Sequence, residues 1–197
     1  MLSLILGSCA GLLSQVPRFM NPSRIAFLTL VILAAAASRL LPHLPNFTPL
    51  AAIALLGGAS FSNKGLAFFV PLAALFLSDC VIGFHGGMAF VYGAFALTVC
   101  LGFLLRRRRR SALAIFTASI ASSCAFYLIT DFGVWSMDDM YAKTWTGLME
   151  CYTAAIPFFR NELLGDLCYS ALLFGGLALA EKSLPLLRNT GSREASA

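Results

Sequence analysis

Residues 88–110 read MAFVYGAFALTVCLGFLLRRRRR, an apolar run of 18 residues that ends at five consecutive arginines. The hydrocarbon core of a bilayer is about 30 Å thick, and a helix needs about 20 apolar residues to cross it. The run at 88–105 is therefore predicted to be a transmembrane helix. Because Lys and Arg collect in cytoplasmic loops, arginines 106–110 are predicted to lie on the cytoplasmic side.

The composition of the whole chain agrees with a membrane protein. Of its 197 residues, 59% are apolar and only 12% are charged, whereas soluble domains carry about 25% charged residues. These values exclude a disordered chain, a collagen-like repeat and a disulfide scaffold, and they argue against a water-soluble domain. The six cysteines are scattered without a C-x-x-C spacing, so they are interpreted as small buried apolar residues.

Long apolar runs bounded by charged residues, Gly or Pro predict six transmembrane helices. The predicted spans are 24–42, 48–62, 65–84, 88–105, 111–130 and 161–180. The second span is short and ends in Gly57-Gly58, which is typical of a tilted, broken or re-entrant segment. A further apolar patch at 145–159 contains Glu150 and stops at Pro157, so it is predicted to be an outer-face helix or a re-entrant segment rather than a full span.

The basic residues orient this set of spans. With 106–110 inside, alternation places both termini inside, and eleven of the fourteen Lys and Arg residues then lie on the cytoplasmic side. An odd number of spans would break this agreement. The sequence therefore predicts an all-α integral membrane protein with six transmembrane helices and both termini cytoplasmic, located in the bacterial cytoplasmic (inner) membrane.

The predicted domain organisation is one membrane domain with short additions. Residues 20–182 form the six-helix domain, and 183–197 are polar and form a cytoplasmic tail. Met20 is followed by Asn21-Pro22-Ser23, which is typical of a cytoplasmic start and a helix entry. Residues 1–19 are therefore interpreted as an extension from an upstream start codon or as a tail.

The acidic residues have the opposite distribution to the basic ones. Seven of the nine fall in outer loops or in the outer parts of spans, namely Asp79, Asp131, Asp138, Asp139, Glu150, Glu162 and Asp166. An ionisable group within the hydrocarbon costs about 2.5–3.5 kcal/mol and usually faces a bundle interior or an aqueous cavity. Several such groups in one layer predict an outward-facing polar pocket.

Four segments bring polar groups to this outer layer: 39–49, 78–87, 130–135 and 160–166. The candidate substrate-binding residues in them are Arg39, His43, Asn46, Asp79, Asp131, Trp135, Arg160, Asn161 and Asp166. The three aspartates are expected to bind an amine, hydroxyls or a cation. Three prolines between 42 and 49 forbid a continuous helix and predict a stiff, extended connection after the first span.

The candidate residues also have purely structural interpretations. Arg39 can form a salt bridge with Asp79 instead of binding an anionic ligand group. Trp135 can belong to an aromatic belt at the membrane interface. Glu162 is set aside in favour of Asp166, because a carboxylate at a helix N-terminus is stabilised by the helix dipole whatever the function.

The sequence carries no recognisable catalytic motif. It has no G-x-x-x-x-G-K-[ST] phosphate loop, no G-x-S-x-G and no H-E-x-x-H. We therefore expect no enzymatic activity, no cofactor and no metal site, and ATP hydrolysis would have to come from another protein. A nucleic-acid partner is not expected either, because nucleic-acid binding needs a basic face with aromatic residues in a soluble fold, and nothing in this sequence predicts one.

Four strings are recognisable together: NFTPLAA at 46–52, Ser78-Asp79, TDFGVW at 130–135 and PFFRNELLGD at 157–166. Over residues 20–181 the chain resembles an uncharacterised family of bacterial six-span membrane proteins classed as transport proteins. That family is distantly similar to the substrate-binding S components of energy-coupling factor (ECF) vitamin transporters.

The resemblance implies a bundle of six helices around an outward-facing site. It implies that the connection at 42–49 acts as a lid, and that small residues at 34–38 contact a transmembrane coupling subunit that works with ATPases. From the residues alone, 34–38 and Gly175-Gly176 serve either internal helix packing or the docking of another membrane subunit.

The expected function is the binding and uptake of a small polar or charged solute by a bilayer-embedded protein. Two alternatives stay open. One is a membrane scaffold or assembly protein without a ligand, whose buried polar groups only specify helix packing. The other is a secondary transporter that couples transport to a proton through its carboxylates.

Overall fold

The computed structural model describes residues 20–84, 86–109 and 111–187, and these residues form six α-helices and no β-strand. The helices are α1 Pro22–Ala37, α2 Leu50–Ser60, α3 Lys64–Ile82, α4 Met88–Leu105, α5 Ala112–Met137 and α6 Trp145–Ser183. Short 3₁₀ turns at Ser38–Leu40 and Pro185–Leu187 follow α1 and α6. Residues 1–19, His85, Arg110 and the tail from 188 onward lie outside the described residues. The prediction of an upstream extension at 1–19 and of a cytoplasmic tail therefore falls outside them too.

Five of the helices are long and apolar enough to cross a membrane, counting α1 together with the turn that follows it. This agrees with the predicted all-α membrane fold. The exception is α2, which has 11 residues and is therefore about 16 Å long, against a hydrocarbon core of about 30 Å. The predicted second span at 48–62 is thus a short internal helix.

The bundle has two chemically different ends. At one end Glu181 binds both Arg24 and Arg109, each with an N···O distance of 2.7 Å. At the other end Arg39 pairs with Asp79, at 2.9 Å. We call the end at Glu181 the basic end, because most of the arginines lie there, and the end at Asp79 the acidic end.

Helix α2 forms the centre of the bundle. Every residue from Ala51 to Ser60 is buried, and α2 contacts all five other helices. Its closest neighbour is α4, because two glycines face each other: a Cβ at Gly58 would lie 2.2 Å from the Val99 carbonyl oxygen and 2.9 Å from the Gly102 Cα. Only glycine permits this backbone contact, which resembles the small-residue contacts of membrane helices.

The two ends of α2 are closed by side chains of opposite charge from other helices. The Arg106 guanidinium donates to the Gly58 carbonyl at 3.0 Å and to the Phe61 carbonyl at 2.8 Å. At the other end the Asp166 carboxylate faces the backbone N–H of Ala51. Anions near helix N-termini and cations near C-termini are stabilised by the helix dipole and by the unpaired backbone groups there.

The last helix corrects the prediction for residues 145–159. These residues are not a segment separate from the final span, because they continue into it as one helix of 39 residues, Trp145–Ser183. A proline inside a helix removes one backbone hydrogen bond, yet α6 continues through Pro157 while its face packs on α5. The Tyr127 ring lies 4.7 Å from that of Phe159 and 5.4 Å from that of Tyr152.

The proline-rich connection at 41–49 is not helical, as predicted, but it is not extended throughout, because it turns at 45–46, where the Phe47 N–H donates to the Leu44 carbonyl at 3.0 Å. It lies across α6. Asn161 donates from its side chain to the Pro45 carbonyl at 3.1 Å. A Cβ at Gly165 would lie 3.2 Å from the Phe47 Cα. Glycine at 165 therefore lets the connection pass directly over the helix, above the N-terminus of α2.

Candidate functional site

Arg39 and Asp79, two of the predicted site residues, form a closed polar cluster between α1, α3 and α4. Asp79 is 6% exposed. It accepts from Arg39 at 2.9 Å on one carboxylate oxygen and from the Tyr92 hydroxyl at 3.0 Å on the other. Arg39 also donates to the Ser78 hydroxyl. Of the two interpretations of Arg39, the structure shows the salt bridge with Asp79, and the two charges balance within the protein.

The candidates on the connection at 41–49 lie on its surface. His43 and Asn46 are exposed, and the His43 Nδ1 lies 2.7 Å from the Leu41 carbonyl. Asn46 has φ of 61°, a left-handed conformation that asparagine adopts more readily than most residues. Arg160 on α6 is also exposed.

Trp135 closes the connection between α5 and α6. Its indole N–H donates to the Ala142 carbonyl at 2.9 Å, and its ring lies 5.5 Å from that of Phe132. The Lys143 ammonium donates to the Trp135 carbonyl and lies 6.0 Å from the indole ring. These contacts give Trp135 a structural part in the turn.

Three carboxylates lie on α5 and α6 toward the acidic end, and we call Asp131, Glu162 and Asp166 the acidic cluster. Asp131 and Asp166 both lie within electrostatic range of Glu162. Glu162 is 9% exposed and Asp166 is 1% exposed. Asp131 and Asp166 were predicted for the site, and the structure brings them to the same carboxylate.

The three carboxylates differ in their partners. Asp166 accepts from the Ser123 hydroxyl at 2.7 Å, in addition to facing the N-terminus of α2. Within the described ranges, the carboxyl groups of Glu162 and Asp131 have neither a hydrogen bond nor an ion pair with another residue. Of the two, Glu162 is the more buried. Its oxygens are not among the described polar side-chain atoms that are enclosed without a partner, so a ligand or solvent can reach this carboxylate.

Aromatic rings adjoin the acidic cluster. Asp131 is within electrostatic range of the hydroxyls of Tyr127 and Tyr152. Each hydroxyl donates to a backbone carbonyl at 2.6 Å, Tyr127 to Tyr152 and Tyr152 to Leu128, so the rings are held in place. Tyr127 also packs on Phe159. The carboxylates therefore lie beside a fixed aromatic surface.

This arrangement suits a positively charged organic group better than a metal ion. Unpaired carboxylates attract a cation, and aromatic faces stabilise ammonium groups through cation–π interactions. Across 20–84, 86–109 and 111–187, no group of three His, Cys, Asp or Glu side chains is placed to hold a metal.

The chain matches a family of unknown function, DUF6580, over residues 19–187. The chain belongs to this family. The matched region includes all six helices. No curated protein and no solved structure matches the chain.

The position of Glu162 in its helix was wrongly predicted from the sequence. Glu162 was interpreted as a helix N-terminal residue, but α6 begins at Trp145, so the dipole of its own helix does not stabilise Glu162. Its spacing of four from Asp166, visible in the sequence, places both carboxylates on one helix face.

A second feature of this DUF6580 chain lies toward the basic end. A cavity of about 910 Å³ opens between α5 and α6, and its floor includes Ser119 and Ser170. Their hydroxyls are 3.3 Å apart. Together with Ser123 and Asp166, one helical turn further along, they form a polar seam between the two helices.

Proposed function

We propose that this protein is a multi-pass protein of the bacterial cytoplasmic membrane, with its basic end in the cytoplasm. The exposed Arg107 and Arg108 and the neighbouring Lys182 support this orientation, because Lys and Arg collect on the cytoplasmic side. In this arrangement all six helices lie in the membrane, with α2 buried inside the bundle, and both termini are cytoplasmic.

We further propose that the acidic cluster binds a small cationic solute from the outer side, as a step in its uptake. The observation that carries this proposal is Glu162, which is 9% exposed and has no partner for its carboxyl group among the described residues. An ammonium group would neutralise Glu162 and Asp131 and contact the rings of Tyr127 and Tyr152.

The proposed role is that of a substrate-binding component of a transporter, without enzymatic activity. The absence of an ATP-binding motif from the sequence supports a division of labour with separate ATPases. The small-residue segment at 34–38 supports a coupling subunit, because Ala34 and Ala37 are exposed rather than packed within the bundle. The resemblance to S components of ECF transporters points the same way.

A proton-coupled secondary transporter is the second candidate, and the polar seam favours it. The seam runs from Glu162 and Asp166 through Ser123 to Ser119 and Ser170, at the floor of the cavity near the basic end. Proteoliposomes loaded with a pH-sensitive dye would show solute-dependent proton uptake if this candidate is right and none if it is wrong.

The binding site is tested with tetramethylammonium as the cationic probe and acetate as the anionic comparison. Melting temperature in mild detergent is measured for the wild type, Glu162→Gln, Asp131→Asn and Glu150→Gln. Glu150 is an exposed carboxylate on the same helix, so it controls for a general loss of negative charge. We expect tetramethylammonium alone to stabilise the wild type and Glu150→Gln, and both other variants to lose this response.

The ligand-free melting temperatures separate binding from a structural role. Glu162→Gln removes a buried charge without a partner, so it is expected to raise the ligand-free melting temperature while abolishing the response to the probe. A full response in both Glu162→Gln and Asp131→Asn would exclude the site. No response in the wild type, and no co-purified small molecule by native mass spectrometry, would favour the scaffold alternative.

A further inference from the structure

The cavity between α5 and α6 is a groove with a basic mouth and apolar walls. Arg109 and Lys182 line its end toward the basic end of the bundle, which we call its mouth, and Phe116 and Phe174 line its walls. Small residues at 171, 175 and 178 line the α6 wall, so a ligand can approach the helix backbone closely. The buried Ser119–Ser170 contact marks its floor.

The charge at the mouth is positive. Arg109 binds Glu181 at 2.7 Å, but Glu181 also binds Arg24. Lys182 is exposed and has no ion-pair partner in the part of the chain that the structure describes. The exposed Arg107 and Arg108 lie next to Arg109 in the chain. An occupant of this groove therefore has to combine an anionic head with an apolar body.

We propose that the groove binds one anionic phospholipid, with its phosphate at Lys182 and Arg109 and an acyl chain along α6 toward Ser170. Basic pockets between transmembrane helices are a known kind of site for anionic lipid head groups. The volume of about 910 Å³ is within the range of about 300–1,000 Å³ found for small-ligand pockets.

The charge at the mouth favours a lipid head group over a helix of another protein as the occupant. Lys182 and Arg109 line the groove, and the apolar face of a transmembrane helix offers them no anion. An acyl chain fits a groove whose α6 wall includes glycine and alanine.

Two adjacent glycines provide a matched pair of variants for the apolar part of the groove. Gly175 lines the groove and Gly176 does not. No atom lies within 4 Å of a Cβ at either position, so both Gly175→Leu and Gly176→Leu are expected to fold. Only Gly175→Leu places a side chain where the acyl chain would lie.

The charge at the mouth is tested with a second pair, Lys182→Gln and Lys64→Gln. Both lysines are exposed near the basic end, but only Lys182 lines the groove. Native mass spectrometry of the purified full chain would measure retained phosphatidylglycerol and phosphatidylcholine with the same acyl chains, added in equal amounts. Size-exclusion chromatography of each variant would report its oligomeric state.

We expect the wild type, Gly176→Leu and Lys64→Gln to retain phosphatidylglycerol in preference to phosphatidylcholine. In Lys182→Gln the ratio of retained phosphatidylglycerol to phosphatidylcholine should fall about fivefold, because one basic side chain at a membrane surface contributes about 1 kcal/mol. Gly175→Leu should lose retained lipid of both kinds. Equal retention of the two lipids by the wild type would overturn the proposal. A change of oligomeric state in Gly175→Leu with unchanged lipid retention would also overturn it, because the groove would then be a protein interface.

Discussion

The contact between α2 and α4 leads to a specific prediction. It depends on Gly58 and Gly102, whose side chains are single hydrogen atoms. A Cβ added in Gly58→Ala would lie 2.2 Å from the Val99 carbonyl oxygen and 2.9 Å from the Gly102 Cα. Both neighbours are backbone atoms, so no side chain can rotate away. The two helices must separate, and overpacking of this kind costs about 1–3 kcal/mol.

The matched control is Gly176→Ala on α6, where no atom lies within 4 Å of the new Cβ. Replacing a mid-helix glycine by alanine without a steric clash stabilises a helix by about 0.5–1 kcal/mol. The two substitutions have the same chemistry and opposite expected signs. Their free energies of unfolding should therefore differ by about 1.5–4 kcal/mol, with Gly58→Ala the less stable.

The assay is reversible unfolding of both variants in mixed detergent and SDS micelles, followed by circular dichroism. Gly102→Ala should behave like Gly58→Ala, because its Cβ would lie 2.6 Å from the Leu55 carbonyl oxygen. The double variant should lose less than the sum of the two single losses, since one separation relieves both clashes. If Gly58→Ala is as stable as Gly176→Ala, the close packing of α2 on α4 is refuted.

Three other substitutions test the charges that hold the bundle. Arg106→Gln loses the charged donor to two carbonyls at the end of α2 and should cost about 1.5–3 kcal/mol. Arg106→Lys should recover part of this loss, and equal melting temperatures for wild type and Arg106→Gln would contradict the cap. Glu181→Gln removes the carboxylate that two arginines bind and should cost about 3–5 kcal/mol, measured by SDS titration. A neutral result would mean that water already screens this pair. Asp166→Asn should lower the melting temperature by weakening the contacts to Ser123 and α2, whereas Glu162→Gln should not. The reverse result would mean that Glu162 has the structural role and Asp166 does not.

The membrane helices followed directly from the sequence because a bilayer imposes length and apolarity on each spanning segment. The predicted span at 88–105 matches α4 to the residue. The short second span was also recognised as unusual, since Gly57-Gly58 ends its apolar run. Its burial on every side was not predictable, because an apolar segment has the same composition whether lipid or other helices surround it.

Pro157 explains the largest disagreement between sequence and structure. A proline usually marks a helix boundary, so 145–159 was separated from the last span. The structure carries α6 through it, and the packing of Tyr152 and Phe159 on α5 is a long-range contact that local sequence patterns do not contain.

The site was predicted in part for the same reason. Acidic residues in one layer indicated where the polar groups would lie, and Asp131 and Asp166 both lie within electrostatic range of Glu162. Which carboxylate lacks a partner depends on tertiary contacts. Asp79 is neutralised by Arg39, and Asp166 is bound by Ser123. Only the fold shows that Glu162 is left without a hydrogen bond or ion pair among the described residues.

The shortness of α2 has a consequence for how the protein is made. At 11 residues and about 16 Å, α2 cannot enter the bilayer as an independent segment when it leaves the ribosome. Its glycine contact is with α4, and the arginine at its C-terminus follows α4 in the chain. Helix α2 can therefore make these contacts only after the chain has been synthesised as far as Arg106, when α3 and α4 have already followed it.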